Sequence, residues 1–239
     1  MELKIISSGS VGNAYILENE NSALLIECGV KVDEINKAIN FNTLKIKGAI
    51  VSHAHLDHSK YMNNVSELGI PLFASVDTFN HMKTPTELRY GVMSNGHMKQ
   101  VSDFKVYYFN ASHDIPTLGF LIESEREKIF FLTDSYKLIW NLSSWKFTCV
   151  MIEANYCEEI VKSKPESFIN KRRLRSHMSI QTAILTLEKM DLSQCNNIVL
   201  LHLSDGVSNE KQFKEMTEQR FGIPVTIATK NQILNLNPF

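Results

Sequence analysis

Apolar positions along the chain fall mainly into short blocks of β-branched, aliphatic and aromatic residues separated by polar breaks. These blocks predict strands at 3–7, 14–18, 22–27, 48–52, 104–109, 118–124, 128–133, 149–152, 198–202 and 225–228. Gly9-Ser10 and the charged triplet Glu125-Arg126-Glu127 supply turns between some of them. A different spacing marks helices. Val32, Ile35 and Ile39 share one helical face, and Ile180, Ala183, Ile184 and Leu187 form a stronger stripe running to Met190, with Ser179 placed to cap its start. A last helix is expected over 209–220. No repeat, low-complexity tract or Pro/Gly-rich linker interrupts the pattern, so 1–239 reads as a single domain. Two strand-rich halves, each interleaved with helices, predict an α/β fold of two sheets packed face to face with helices outside.

Composition narrows the class. A hydrophobic content of 44% and a charged content of 21% are those of a globular enzyme, and no apolar run approaches the roughly 18 residues needed to cross a bilayer. The segment beginning Met1-Glu2-Leu3-Lys4 enters a strand pattern at once, without the zones of a secretion signal, so a cytoplasmic location is expected. Cys28, Cys149, Cys157 and Cys195 contain no CxxC pair and suggest neither a disulfide framework nor a thiolate zinc site. The net charge of −1 excludes a uniformly basic surface but not a local positive patch.

The chemistry is concentrated where one apolar strand ends. Ile50-Val51-Ser52 leads into His53-Ala54-His55-Leu56-Asp57-His58, four metal-capable side chains in six residues. In extended backbone alternate side chains share a face, so His53 and His55 point the same way. As the chain turns into a helix, Asp57 and His58 swing toward a second point nearby. Imidazoles and carboxylates of this kind suit zinc, manganese or iron. Left without a cation, such a polar cluster at a strand end carries a large desolvation cost.

A dinuclear centre needs about three protein ligands per ion, so later strand ends must contribute. His113 lies just beyond the strand reaching Asn110, Asp134 follows Thr133, and His202 follows Leu201. With His177, these account for six of the eight histidines and leave His81 and His97 as surface residues.

The string His53-x-His55-x-Asp57-His58, continued by His113, Asp134 and His202, resembles the metallo-β-lactamase superfamily across nearly the whole chain. Ser7-Ser8-Gly9-Ser10-x-Gly12-Asn13, Ser176-His177-Met178-Ser179 and Leu201-His202-Leu203-Ser204 are similar to the YycJ/WalJ-like branch, which is related to RNase Z-type nucleases. The resemblance implies an αββα sandwich with two divalent metal ions, zinc or manganese, with iron as an alternative. One ion would be held by His53, His55 and His113, the other by Asp57, His58 and His202, with Asp134 bridging. It further implies leaving-group support from Glu153 and His177, which match a strand-end Glu and a later His-Ser/Thr motif. Ser52 stands where Thr is usual and Glu27 where the branch usually has Asp, and there is no room for a large RNA-clamping insertion.

Paired cations lower the pKa of a water and neutralise charge building on a substrate, which serves phosphodiesters and strained esters or amides alike. Six basic residues, Lys162, Lys164, Lys171, Arg172, Arg173 and Arg175, run up to His177, and Lys171, Arg172, Arg173 and Arg175 are candidate phosphate contacts. The expected function is a metal-dependent phosphodiesterase or nuclease acting on DNA. Hydroxide held between the cations and oriented by Asp57 would attack phosphorus, and His177, polarised by Glu153, would protonate the leaving oxygen. The alternative is a small-molecule hydrolase for a thioester, lactone or cyclic nucleotide on the same metals. Tyr136, Trp140 and Trp145 follow the Asp134 loop, where rim packing is a more ordinary role than base stacking.

Overall fold

The computed structural model describes residues 1–125 and 127–236, so Arg126 of the expected turn lies outside the described residues. The chain begins with β1 (Glu2–Ser7), β2 (Ala14–Glu18), β3 (Ala23–Ile26), α1 (Val32–Ala38) and β4 (Ile46–Ile50). It continues through α2 (Leu56–Ser59), α3 (Met62–Glu67), β5 (Leu72–Ala74), α4 (Val76–His81) and β6 (Arg89–Val92). A second series follows, β7 (Met98–Val101), β8 (Phe104–Ala111), β9 (Thr117–Ser124), β10 (Glu127–Leu132) and β11 (Cys149–Glu153). Then come α5 (Glu158–Lys162), α6 (Phe168–Ser176), α7 (Ile180–Leu187), β12 (Asn197–Leu201), α8 (Glu210–Phe221), β13 (Val225–Ile227) and β14 (Gln232–Asn235).

The strands form two seven-stranded sheets, ordered β14-β1-β2-β3-β4-β5-β6 and β13-β12-β11-β10-β9-β8-β7. Both are mixed, with β3 to β6 parallel in one and β10 to β13 parallel in the other. The period-two alternation of buried strands explains the layers. Ile129 and Phe131 of β10 pack between the sheets against Tyr15, Leu17 and Phe120, whereas Phe130 and Leu132 face outward onto Ile180, Ala183 and Leu187 of α7. On the other side Ile16, Leu25, Ala49 and Val51 meet Ile35 of α1, Val65 of α3 and Phe79 of α4. Strands buried on both faces read as continuous apolar runs, and each fully buried Leu, Ile or Phe contributes about 1.5–3 kcal/mol. The result is the αββα sandwich expected from the sequence.

Nine of the ten expected strands differ from the observed ones by a residue or two at one or both ends, and β5, β6, β7 and β14 were not anticipated. The last three are short and carry exposed residues, so no apolar run marks them. Lys171, Arg172, Arg173 and Arg175 lie on helix α6, which the sequence pattern did not predict and whose start is capped by Ser167 accepting from Asn170 N–H. Ser179 caps α7, and α8 runs from its Asn209 cap to Gly222 in the left-handed conformation. Among the described residues, no helix is long and apolar enough to cross a membrane.

Parallel β4, β10, β11 and β12 open their carboxyl ends toward one edge of the sandwich. Strand β8 points the same way, since two antiparallel pairings relate it to β10. Ligand sites in α/β sheets form outside such ends.

Candidate metal centre

Each expected ligand leaves one of these strand ends. His53 and His55 follow β4, and the four-residue helix α2 then turns Asp57 and His58 inward. That turn is fixed by backbone bonds from elsewhere, Asn13 N–H to Asp57 O at 2.7 Å and Cys28 N–H to His58 O at 2.7 Å. Gly29 permits the approach, because a Cβ there would overlap the Asp57 carbonyl. Asp134 after β10 and His202 after β12 both have positive φ, 44° and 55°, a conformation that Asp and His tolerate better than most residues. Such backbone persists only where its surroundings hold it.

The side chains converge in two groups. His53 Nε2 and His113 Nε2 each lie 3.1 Å from His55 Nδ1, and Asp134 Oδ2 lies 3.6 Å from His53 Nε2 and 3.5 Å from His113 Nε2. In the second group Asp57 Oδ2 is 3.4 Å from His58 Nε2 and 3.3 Å from His202 Nε2. Asp134 spans both, since its Oδ1 is 3.5 Å from His58 Nε2. Four donors placed tetrahedrally at zinc–nitrogen bond lengths stand about 3.4 Å apart, so the first group already has the spacing of a coordination shell.

Outer bonds aim these rings. His113 Nδ1 donates to Ser176 O at 2.6 Å, which leaves its Nε2 lone pair facing the other donors. Ser52 Oγ holds His53 Nδ1 at 2.8 Å, and Asn155 Nδ2 lies 3.1 Å from His202 Nδ1. Glu27 and His58 are fully buried with Oε1 and Nδ1 3.5 Å apart, a carboxylate behind an imidazole of the kind that orients metal ligands. Lone pairs and carboxylates directed at one point repel unless positive charge lies between them, so the donor set fits divalent cations.

The electrostatics differ between the groups. Burial, aided by the neighbouring His58, holds His53 far below the usual histidine range, and burial with His113 lowers His55, so both shifts favour the neutral form that metal ligation needs. Burial opposes charge on His202 as well, yet Asp134, Asp57 and Glu153 together push it up to about 10. Burial would raise the carboxyl pKa of Asp57, but hydrogen bonds from His202 and His58 hold it well below its ordinary value. Asp134 is likewise held low against its burial, chiefly by His202 and His58. The second group thus draws positive charge to its carboxylates.

Glu153 and His177 stand beside this centre. Glu153 Oε1 accepts from His177 Nδ1 at 2.7 Å, while its Oε2 accepts from Ser135 and Met178 N–H at 2.9 and 3.0 Å. The His177 ring stacks on His202 at 5.5 Å. Burial lowers the His177 pKa, but Glu153 outweighs it and the net shift is upward.

The basic residues divide. Lys171, Arg172 and Arg175 are exposed on α6, which ends directly at His177. Arg173 turns inward to Asn170 Oδ1 and Ser204 Oγ at 2.7 and 3.1 Å, bracing the helix. Lys171 pairs with Glu166 at 2.8 Å, and Arg172 pairs with Asp114. Trp145 stacks on Phe147, and Trp140 donates from Nε1 to Asn110 O at 3.2 Å. Tyr136 is 38% exposed near the same rim.

Sequence reasoning missed Asp114, Asn13 and Asn155 as parts of the site. Asp114 directly follows His113, Asn13 closes the Gly-rich motif and Asn155 lies two residues beyond Glu153. Those positions were the available signals.

A profile of the β-lactamase superfamily domain matches residues 24–203. The chain belongs to this family. With its His/Asp donor set, this superfamily member is a metal-dependent hydrolase. It is 23% identical over 244 aligned residues to a Bacillus anthracis protein named exodeoxyribonuclease YycJ, covering 93% of this chain and 92% of the relative. In fold it is similar to the metallo-β-lactamase fold protein YhfI of Bacillus subtilis, with TM-score 0.76 and 15% identity over 98% of both chains. It is also similar to the short form of human tRNase Z, with TM-score 0.70 and 16% identity over 99% of this chain and 100% of that one.

Proposed function

We propose that this member of the superfamily is a phosphodiesterase that removes nucleotides from DNA ends, using two zinc or manganese ions. His53, His55 and His113 would hold one ion and Asp57, His58 and His202 the other, with Asp134, 3.5 Å from both His113 and His58, shared between them. Bound there, the cations would lower the pKa of water and absorb negative charge from the substrate. The chain's own residues do the rest. Asp57 accepts hydrogen bonds at the open side of the second group and orients the attacking water. His177 gives its Nδ1 proton to the bond with buried Glu153, so Nε2 remains to protonate the leaving oxygen. Lys171, Arg172 and Arg175 bind backbone phosphates beyond the scissile one, with Arg173 bracing their helix.

The single observation that carries this reading is the continuity between α6 and His177: exposed cations and the general acid occupy consecutive turns beside the ligand cluster. The DNA preference draws on the name of the Bacillus anthracis relative. A metal-by-substrate activity matrix with linear DNA, RNA, a small phosphodiester and a thioester tests it. The expected result is metal-dependent DNA degradation that weakens steeply with salt. Replacing Lys171, Arg172 and Arg175 together by alanine should reduce the log–log salt slope by about 2, at about 0.7 per phosphate contact on a single strand. Thioester turnover with no DNA degradation would replace this reading by small-molecule hydrolysis.

A further inference from the structure

A cleft of about 660 Å³ opens from the metal centre, with Asp114, the carboxylate that Arg172 of α6 grips, at its inner end. It is bounded by the start of α4, the turn after β6, and the segment joining β8 to β9. His113 and Asp114 line its inner end, so it is continuous with the ligand cluster. Its volume falls in the range of about 300–1,000 Å³ typical of sites for small organic ligands.

The two flanks of the centre differ in charge. Among the described residues lining the cleft there is no Lys or Arg, while Asp77 and Asp114 contribute carboxylates. The remaining wall is neutral, combining Ser94, Asn95 and Asn110 with apolar Val92, Pro116 and Leu118. Asn95 Oδ1 is engaged by Asn110 backbone N–H at 3.1 Å, which leaves its Nδ2 hydrogens for a ligand acceptor. A phosphate backbone binds through Lys and Arg; Arg172 of α6 neutralises Asp114 at the inner end, and beyond that point the lining offers such a backbone no cation. An uncharged heterocycle bearing carbonyl and ring-nitrogen acceptors is suited to carboxamides flanked by apolar carbons.

We propose that this cleft takes the base and sugar of the nucleotide whose phosphate lies at the metal centre. The inference rests on the phosphodiesterase reading above and deepens it. The strand then leaves the centre over α6, because the cleft lining offers no cation for a further phosphate. The nucleotide in the cleft is therefore the last of its strand. The charge asymmetry supplies a physical reason, independent of any relative's name, for action at strand ends.

The test uses the full-length manganese-loaded protein with two chromogenic diesters, thymidine 5′-monophosphate p-nitrophenyl ester and bis(p-nitrophenyl) phosphate. Asn95→Ala and Asn110→Ala are compared with the wild type, the second substitution leaving the backbone bond that Asn95 receives intact. Loss of a hydrogen bond should lower the selectivity for the thymidine ester, measured as the ratio of kcat/KM values, about 3- to 10-fold through KM. Calorimetric binding of thymidine 5′-monophosphate should weaken by the same factor, and covalently closed single-stranded DNA should resist degradation that consumes the linear form. Unchanged selectivity and nucleotide affinity in both variants, or nicking of the closed circle at the linear rate, would overturn the cleft assignment while the diesterase reading stands. A wild-type protein inactive on both diesters and on linear DNA would instead remove the reading on which it rests.

Discussion

Arg172 reaches one carboxylate oxygen of Asp114 with two donors, Nε at 2.9 Å and Nη2 at 2.8 Å, while the other oxygen lies 3.1 Å from His113 Nε2. The same oxygen is 3.5 Å from His55 Nε2. One carboxylate thus ties the basic helix to two histidines of the first ligand group.

From that arrangement, Asp114→Asn should weaken metal binding at the first group, since outer partners of metal ligands are commonly worth about 10- to 100-fold in affinity. Competition against a chromophoric chelator measures it. An affinity equal to that of the wild type would show Asp114 to act on α6 alone.

Replacing the general acid should separate chemistry from metal retention. For His177→Ala the expected loss in kcat is about 10²- to 10⁴-fold, the usual contribution of a positioned acid or base. Elemental analysis should find the wild-type metal content, because His177 Nδ1 is bonded to Glu153. Glu153→Gln should give a smaller loss in the same direction, read by the same two assays.

Cations that bind the folded chain alone must raise its stability. At a free concentration about 100 times Kd the gain is about 2.7 kcal/mol, or roughly 5–10 °C in Tm for a chain of this size. A chelator should reverse the shift. In His53→Ala with His58→Ala, differential scanning fluorimetry should show little response to added zinc or manganese.

Away from the centre, Glu18 forms ion pairs with both Lys4 and Lys45. Burial acts to raise its carboxyl pKa, but those two ammonium groups bring the net value below the ordinary range. A carboxyl whose pKa is depressed in the folded state stabilises the fold above its unfolded pKa, and that contribution fades as pH falls through the folded value. Thermal melts of the wild type from pH 7 down to pH 3 should therefore decline more steeply than those of Glu18→Gln. Parallel curves would assign Glu18 no part in acid sensitivity.

The legibility of the molecule in its sequence followed the range of the interactions. The β10 run is apolar because both its faces are buried, so the strand could be read locally. The His53–His58 string was equally plain, since its spacing concentrates donors before any folding is considered. Edge strands such as β7 and β14 escaped because pairing on one side leaves their residues mixed and exposed. Helix α6 escaped because its exposed Phe168, Ile169 and Leu174 leave no buried apolar stripe to mark it.

By itself the sequence determined the layered α/β class and the inventory of metal-capable residues at strand ends, because periodicity and strand termination are properties of neighbouring residues. Only the tertiary structure decided which donors meet. Asp114 and Arg172 are separated by 58 positions, Ser176 and His113 by 63, and Asn155 and His202 by 47. Contacts over such intervals are set by how two sheets pack and which strand ends share an edge, and no local pattern along the chain encodes that geometry.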